Sequence, residues 1–318
     1  MQLRISIQGR VQGVGFRPSV YRLAKSLGLY GYVRNMGNGN VEIVIEGKKD
    51  AAGSFLGSLE ESLPPLAEIF SLATEEVKMK KLKDFHIMES KVPSDPSSNS
   101  FIPQDVGTCD KCYKELFDPD NRRYAYPFIT CTDCGPRFTI SRGPPFDREN
   151  TSMKPFKMCS ECLAEYSNPE DRRYHAQTIA CPKCGPRVWL IGPGGRKVRS
   201  ANPIGRAANL IKQGKIVAIR GVGGTHIACS VTDDHTIRRL RRILRRPYQP
   251  FALMAGSIRK VRSFASVSVK EAETLVDWKR PIVVVDKLQP FPLSELLSPD
   301  LNNIGVMLPY TPLHHLLL

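Results

Sequence analysis

Eight of the nine cysteines stand in four Cys-x-x-Cys pairs in the middle of the chain. Two thiolates three residues apart can reach one tetrahedral metal ion from a tight turn, and four thiolates complete a closed structural site. The pairs therefore predict two structural Zn²⁺ ions as cofactors, and the spacing leaves open whether the pairs combine sequentially or crosswise. The predicted ligands are Cys109, Cys112, Cys131, Cys134, Cys159, Cys162, Cys181 and Cys184.

The intervals of 18, 24 and 18 residues between the pairs make the second half a repeat of the first at an offset of 50. The repeat extends to flanking residues such as Arg123 and Arg173. His175 occurs in the second repeat only, where the first has Ala125. Because four thiolates already close each predicted site, His175 is not expected to be a fifth ligand. Two roles remain open: a hydrogen bond at the surface or between domains, or a contact with an active site.

A second pattern that could do chemistry is the glycine-bearing segment from Gly9 to Arg17, which joins a predicted strand to a predicted helix. Glycines let consecutive backbone N–H groups turn inward as an anion nest, and the N-terminus of a helix adds positive potential. Arg17, early in that helix, can bind a phosphate through two N–H groups. The alternative from the residues alone is a purely structural turn.

The elements that must position this loop form a predicted α+β unit over residues 1–90. The order β-α-β-β-α-β is that of a ferredoxin-like fold. Its first strand has alternating apolar residues, its first helix begins at Pro18 and ends before Gly28, and its second helix is capped by Asp50. The two strands of the predicted hairpin are 31–35 and 41–45, and the last strands lie near 69–77 and 85–88.

The rest of the chain divides into a Ser- and Pro-rich linker at 91–104, the cysteine repeats at 105–190 and an α/β domain at 200–318. The last domain contains an amphipathic helix with an arginine-rich rim. Strands are predicted near 216–219, 251–255 and 282–285. His314 and His315 are predicted in an extended segment, where neighbouring side chains point apart, so we do not expect them to bind a metal together.

Composition limits the function classes. The 318-residue chain has no apolar run long enough to span a bilayer and no secretory leader, which predicts a cytoplasmic protein with no membrane partner. A net charge of +15 is compatible with a nucleic-acid partner, because basic surfaces bind polyphosphates. The densest cluster is either a solvated helix face or a phosphate-facing patch. It consists of Arg238, Arg239, Arg241, Arg242, Arg245 and Arg246.

The segment from Gly9 to Arg17, followed by Gly31 to Asn35 and by Val41-Glu42, closely resembles the acylphosphatase family over residues 1–90. The resemblance implies that Arg17 binds phosphate and that Asn35 positions the attacking water. No metal or covalent nucleophile is required, because an acyl phosphate is already activated. The backbone cradle implied by the resemblance is Gln12, Gly13, Val14, Gly15 and Phe16.

An acylphosphatase-like domain, two four-cysteine zinc-finger units and an α/β domain occur in this order in the hydrogenase maturation carbamoyltransferases, the HypF family. Four segments resemble that family's signatures: 134–139, 171–177, 181–186 and 307–314. The resemblance implies that carbamoyl phosphate is hydrolysed first. A YrdC-like domain then joins carbamate to AMP from ATP, with Mg²⁺. A further C-terminal domain passes the carbamoyl group to the terminal cysteine of the partner HypE.

The resemblance of residues 200–318 to YrdC-like domains is imperfect. Arg220 and Leu244 stand where the family usually has lysine, whereas Arg246 matches a family arginine. Arg220 and Arg246 are the residues predicted to bind nucleotide. The chain stops at Leu318 directly after a hydrophobic segment, so we expect an incomplete domain. The alternatives to an N-terminal portion of a carbamoyltransferase are a zinc-containing module that binds tRNA and a regulatory paralogue.

Overall fold

The computed structural model describes residues 1–36, 39–91 and 104–318. The predicted linker therefore lies largely outside the described residues, as do Gly37 and Asn38 of the predicted hairpin turn. The chain divides into two compact units, Met1–Asp105 with Thr130–Gly185, and Val106–Ile129 with Pro186–Leu318. In the described ranges no helix is both long enough and apolar enough to cross a membrane.

The N-terminal part of the first unit is a five-stranded sheet with two helices. Its strand order is β4-β1-β3-β2-β5, antiparallel except for the pairing of β2 with β5. This arrangement confirms the ferredoxin-like prediction. The elements are β1 (Gln2–Arg10), α1 (Phe16–Ser26), β2 (Tyr30–Asn35), β3 (Val41–Glu46), α2 (Lys49–Ser58), β4 (Glu68–Glu76) and β5 (Phe85–Ile87).

Alternation in the sequence explains the core of this sheet. Ile5 and Ile7 of β1 and Ile43 of β3 are fully buried, because period-two residues share one face of a strand. The helix boundaries differ from prediction: α1 begins before Pro18, and the residue preceding α2 is Lys48 rather than Asp50. Asp50 lies inside the first turn of α2, where a carboxylate interacts favourably with the helix dipole without being the N-cap residue.

Each cysteine repeat begins with a short helix, α3 (Asp110–Phe117) and α4 (Ser160–Ser167). The first cysteine of each repeat is the N-cap residue, so the second cysteine falls in the first helical turn. After the helices, Ala125 and His175 have the same left-handed backbone conformation, with φ of 51° and 55°. The repeat seen in the sequence is thus also a repeat of backbone structure.

The second unit contains a four-stranded sheet of order β10-β13-β12-β11 and two separate pairs, β6-β7 and β8-β9. Its core includes Ile237, Val261 and Val306. The elements are β6 (Leu190–Ile191), β7 (Lys197–Val198), α5 (Pro203–Lys212), β8 (Val217–Arg220), β9 (Thr225–Ala228), α6 (Asp234–Leu244), β10 (Leu253–Met254), α7 (Ile258–Val261), β11 (Ala265–Ser266), α8 (Val269–Val276), β12 (Val283–Lys287), β13 (Asn303–Met307) and α9 (Pro312–Leu317).

Two expectations about this unit are wrong. His314 and His315 lie in α9, not in a strand, because Thr311 caps the helix and Pro312 occupies its first turn. Arg241 is not part of the solvated rim of α6. Its guanidinium is buried and donates to the carbonyl oxygens of Leu296 and Arg246, among others. These carbonyls come from segments outside the helix, which the periodicity of α6 does not encode.

Candidate active site and metal centres

The eight paired cysteines form two groups in which the four sulfur atoms lie within 4.8 Å of one another. The groups combine the pairs sequentially. In the second group, the Cys159–Cys181, Cys181–Cys184 and Cys162–Cys184 sulfur distances are 3.7, 3.7 and 3.6 Å. Four sulfurs at about 2.3 Å from a tetrahedral Zn²⁺ are about 3.8 Å apart, whereas a disulfide needs about 2.05 Å. The donor sets therefore fit structural zinc.

The glycine-bearing loop between β1 and α1 has the conformation that its glycines permit. Gly13 and Gly15 have φ of 68° and 79°, and a Cβ on Gly13 would approach the Phe146 ring to 2.9 Å. In the described ranges, no protein group accepts a hydrogen bond from the amides of Gly13, Val14 or Gly15. The first turn of α1 carries no acidic side chain. The loop is thus suited to an anion.

Arg17 projects from the first turn of α1 and is nearly buried. Its Nη2 donates to Asp147 Oδ1 at 2.8 Å, and its Nη1 donates to Ser90 Oγ at 3.3 Å. Ser90 Oγ also donates to Asp147 Oδ2. Burial by itself would raise the pKa of the Asp147 carboxyl, but Arg17 and the Ser90 hydroxyl hold that pKa below its ordinary value. Asp147 is therefore charged beside Arg17.

Asn35 is placed at the end of β2 with no solvent exposure. Among the described residues, neither the oxygen nor the nitrogen of its side-chain amide has a hydrogen-bond partner, and the Nε2 of buried Gln12 also lacks one. Buried polar groups without protein partners are uncommon and are usually satisfied by a water or a ligand. Both unpartnered groups are at positions that the sequence assigns to the site.

A cleft of about 410 Å³, including its open mouth, lies beside the loop. The predicted residues Gly13, Gly15, Phe16 and Arg17 line it, whereas Gln12, Val14 and Asn35 do not. The other lining residues come mainly from the finger segments of the same unit. They are Val11, Pro18, Cys131, Thr132, Arg137, Phe146, His175, Ala176, Gln177 and Thr178.

His175 reaches this cleft from the second repeat. Burial lowers its pKa to about 4, and the nearby charge of Arg17 acts in the same direction. Its left-handed backbone conformation is shared with Ala125 of the first repeat, so that conformation belongs to the repeat and does not distinguish His175. Of the two roles left open by the sequence, the position of His175 favours the active-site contact.

The finger segments also support the loop directly. Arg137 is fully buried, and its Nε donates to the carbonyl oxygen of Gly13 at 2.8 Å. Its Nη2 donates to the carbonyl oxygen of Thr132, which also lines the cleft. The sequence offered a weak signal for this role, since Arg137 belongs to the repeat. It offered none for Asp147 or Ser90.

The two residues predicted to bind nucleotide are both exposed. Arg220 ends β8 and Arg246 follows α6. The assignment of both residues to nucleotide binding stays a prediction. The nucleic-acid alternative would have to rely on the remaining arginines of the cluster, because Arg241 is occupied inside the unit.

Three family matches agree with this architecture. Residues 3–87 match the acylphosphatase family, and residues 108–141 and 158–191 each match the HypF finger. Residues 209–318 match the Sua5/YciO/YrdC family, described as telomere recombination. The chain thus combines an acylphosphatase domain, a pair of four-cysteine fingers and a Sua5/YrdC-like region.

Longer relatives are similar along this entire chain. It is 50% identical to a probable carbamoyltransferase HypF of Methanocaldococcus jannaschii, covering 100% of this chain and 41% of the relative. It is 46% identical to the carbamoyltransferase HypF of Synechocystis, covering 99% and 40%. The chain is therefore a member of the HypF carbamoyltransferase family and spans about two fifths of the length of these relatives.

Two solved structures support this membership. A full-length HypF in a phosphate- and nucleotide-bound form superposes with a TM-score of 0.93 at 41% identity, covering 99% of this chain and 41% of that chain. The T. kodakarensis HypF superposes with a TM-score of 0.91 at 46% identity, covering 99% and 40%.

Proposed function

We propose that this chain hydrolyses carbamoyl phosphate at the Arg17 site, as the first step of carbamoyl transfer. The observation that carries the proposal is a glycine loop, whose amides at Gly13 to Gly15 have no acceptor among the described residues, beside the fixed side chain of Arg17. Membership of the HypF family supplies the substrate class, because its members are named carbamoyltransferases.

In the proposed reaction, the amides of residues 13–16 and the guanidinium of Arg17 hold the phosphoryl oxygens. These donors neutralise charge on the phosphoryl group as water attacks phosphorus. The bond from phosphorus to the carbamoyl oxygen breaks, and carbamate leaves as a carboxylate. Inorganic phosphate is the second product, and the proton of the attacking water passes to solvent.

Asn35 is the proposed holder of the attacking water. Its side-chain oxygen can accept a hydrogen bond from that water while its nitrogen donates to a neighbouring oxygen, which would satisfy both unpartnered atoms. Orientation of this kind is sufficient for an activated substrate, since positioning supplies much of the rate in such reactions.

Two structural Zn²⁺ ions are proposed for the cysteine groups. Later steps are proposed for the full family architecture: ATP with Mg²⁺ would activate carbamate at the Sua5/YrdC-like region, and HypE would accept the carbamoyl group. The nucleotide in the superposed HypF structure supports the ATP step. Arg220 and Arg246 are the proposed phosphate contacts for that nucleotide.

The proposal is tested by ³¹P NMR of carbamoyl phosphate hydrolysis without ATP, with the full chain and its Arg17→Ala variant. We expect the variant to lose activity by about a thousandfold, because removal of an arginine that stabilises phosphoryl transfer costs about 10³ or more. Arg22→Ala is the matched control, since Arg22 is exposed on the same helix. It should keep activity within about twofold. Equal turnover by Arg17→Ala and Arg22→Ala would refute the assignment.

A further inference from the structure

The connection between the two fingers brings an acidic residue to Arg17. Asp147 lies 130 positions away from Arg17 in sequence, and its two carboxylate oxygens bond to Arg17 and to Ser90. Ser90 in turn accepts from the other terminal nitrogen of Arg17. The three side chains therefore close a ring of hydrogen bonds around the end of the guanidinium.

Asp147 is presented by a turn that is anchored on both sides. Its own amide donates to the carbonyl oxygen of Pro145 at 2.8 Å. The following residue, Arg148, is buried and donates to the carbonyl oxygens of Gln177, Ile179 and Phe156 at 2.6–2.9 Å. On the other side, the buried ring of Phe146 lines the cleft. The carboxylate is thus held in position and does not hang from a free loop.

The anchoring of Ser90 is equally local. The segment after β5 continues alongside β2, where the amide of Met88 donates to Val33 and the amide of Lys91 donates to Asn35, both at 2.9 Å. This path runs past the end of β2 and brings the Ser90 hydroxyl to Arg17. Two independently fixed groups therefore converge on one guanidinium.

A guanidinium has five N–H donors, and this ring uses two of them. The other three donors have no partner among the described residues, so they remain for a ligand. Long side chains lose rotamer entropy when a ligand orders them, and a side chain that is already fixed avoids that cost. A carboxylate partner can thus improve phosphate binding even though its own charge is negative, provided that it stays on the arginine.

We propose that Asp147, together with Ser90, is a positioning residue that fixes Arg17 so that its remaining N–H groups face the phosphoryl group. This inference rests on the proposed function of the Arg17 site. It makes the finger region part of the acyl phosphate site: Asp147 orients the arginine, and Arg137 holds the backbone of the loop. An acylphosphatase domain of this sequence would then depend on the fingers for full activity.

The test compares the full chain with Asp147→Asn, Asp147→Glu and the control Glu149→Gln. Glu149 lies two residues away, is exposed and pairs only with Lys154 among the described residues. ³¹P NMR resolves carbamoyl phosphate from inorganic phosphate, so it yields kcat and KM and, through line broadening, the Kd for inorganic phosphate. We expect Asp147→Asn to lower kcat/KM roughly 10- to 100-fold, as small misplacements of catalytic groups do.

Further readouts separate positioning from a general structural defect. Asp147→Asn should raise both KM and the Kd for inorganic phosphate, Asp147→Glu should restore part of the loss, and zinc content and thermal melting should not change. Glu149→Gln should match the unmodified chain.

Tighter phosphate binding by Asp147→Asn would overturn the proposal, because it would mean that the carboxylate competes with phosphate for Arg17. Unchanged kinetics in Asp147→Asn, with Arg17→Ala inactive, would also overturn it while the proposed function stood. If the unmodified chain does not hydrolyse carbamoyl phosphate, the proposed function fails. Weaker phosphate binding by Asp147→Asn would then still support the positioning role.

Discussion

Two glycine loops of this chain lie beside an arginine that the sequence assigns to a phosphate or nucleotide site, and they fold differently. The loop before Arg17 leads into α1, and its amides have no protein acceptor among the described residues. The loop from Arg220 to Gly224 joins β8 to β9 as a hairpin, and the amide of Gly221 donates to the carbonyl oxygen of Gly224 at 2.9 Å. One loop thus offers amides to an anion, whereas the other uses an amide to close its own turn.

The arginines near the two loops also differ in how firmly their side chains are held. Arg17 is held by two partners, whereas Arg220 and Arg246 are exposed. A helix N-terminus and a fixed side chain reduce the reorganisation needed to bind phosphate. Glycine content alone therefore does not determine how many backbone amides a loop leaves for an anion. The element that follows the glycines and the hydrogen bonds within the turn also determine this number.

The largest effect on this comparison should come from the zinc ligands, since the finger region supports the first loop through Arg137. Cys159→Ser and Cys109→Ser should each release one Zn²⁺ and retain the other, because the sulfur groups are sequential. Loss of a structural zinc removes several kcal/mol of folding free energy, so we also expect a clear drop in thermal stability. Metal analysis of the purified variants measures the count. Loss of both ions from either variant would contradict independent centres.

The next largest effect concerns the free energy of unfolding, which should distinguish Arg241 from Arg246 in the second unit. Arg241 donates to several partly buried carbonyl oxygens, and its guanidinium carbon lies 4.5 Å from the centre of the Phe251 ring. We expect Arg241→Ala to lower the free energy of unfolding by about 2–4 kcal/mol. The exposed Arg246 is the matched control, and Arg246→Ala should change it by less than about 0.5 kcal/mol. Equal stability of the two variants in urea unfolding would show that Arg241 is not a structural residue.

The smallest effect is the pH dependence of stability that His175, a residue of the cleft beside Arg17, should cause. Its pKa in the folded chain is about 4, below the ordinary 6.5. The unfolded chain therefore binds a proton first as the pH falls, and stability declines from about pH 6.5 towards pH 4. His175→Gln should reduce the stability lost between pH 7 and pH 5 by roughly 1–2 kcal/mol. Urea unfolding at the two pH values measures the difference. If both chains lose the same stability between pH 7 and pH 5, a group other than His175 is responsible for the pH dependence.

Local patterns predicted most of the first unit because they act over a few residues. The alternation of Ile5 and Ile7 identified β1, and the left-handed Gly28 follows α1 where its end was predicted. The spacing of the cysteines identified the eight ligands, because a Cys-x-x-Cys turn has nearly the same geometry wherever it occurs. The structure then showed that the pairs combine sequentially. The beginnings of α1 and α2 were predicted less accurately, since helix ends depend on caps that several neighbouring residues could supply.

By itself, the sequence determined the family, the order of the domains, the eight cysteine ligands and the loop that ends in Arg17. Each of these depends on residue types at short, regular spacings. Only the tertiary structure decided that Asp147 meets Arg17, that His175 enters the cleft and that Arg241 is internal. These contacts join residues that are distant in sequence or belong to irregular connections. Their partners are determined by how whole elements pack, and no local periodicity records that.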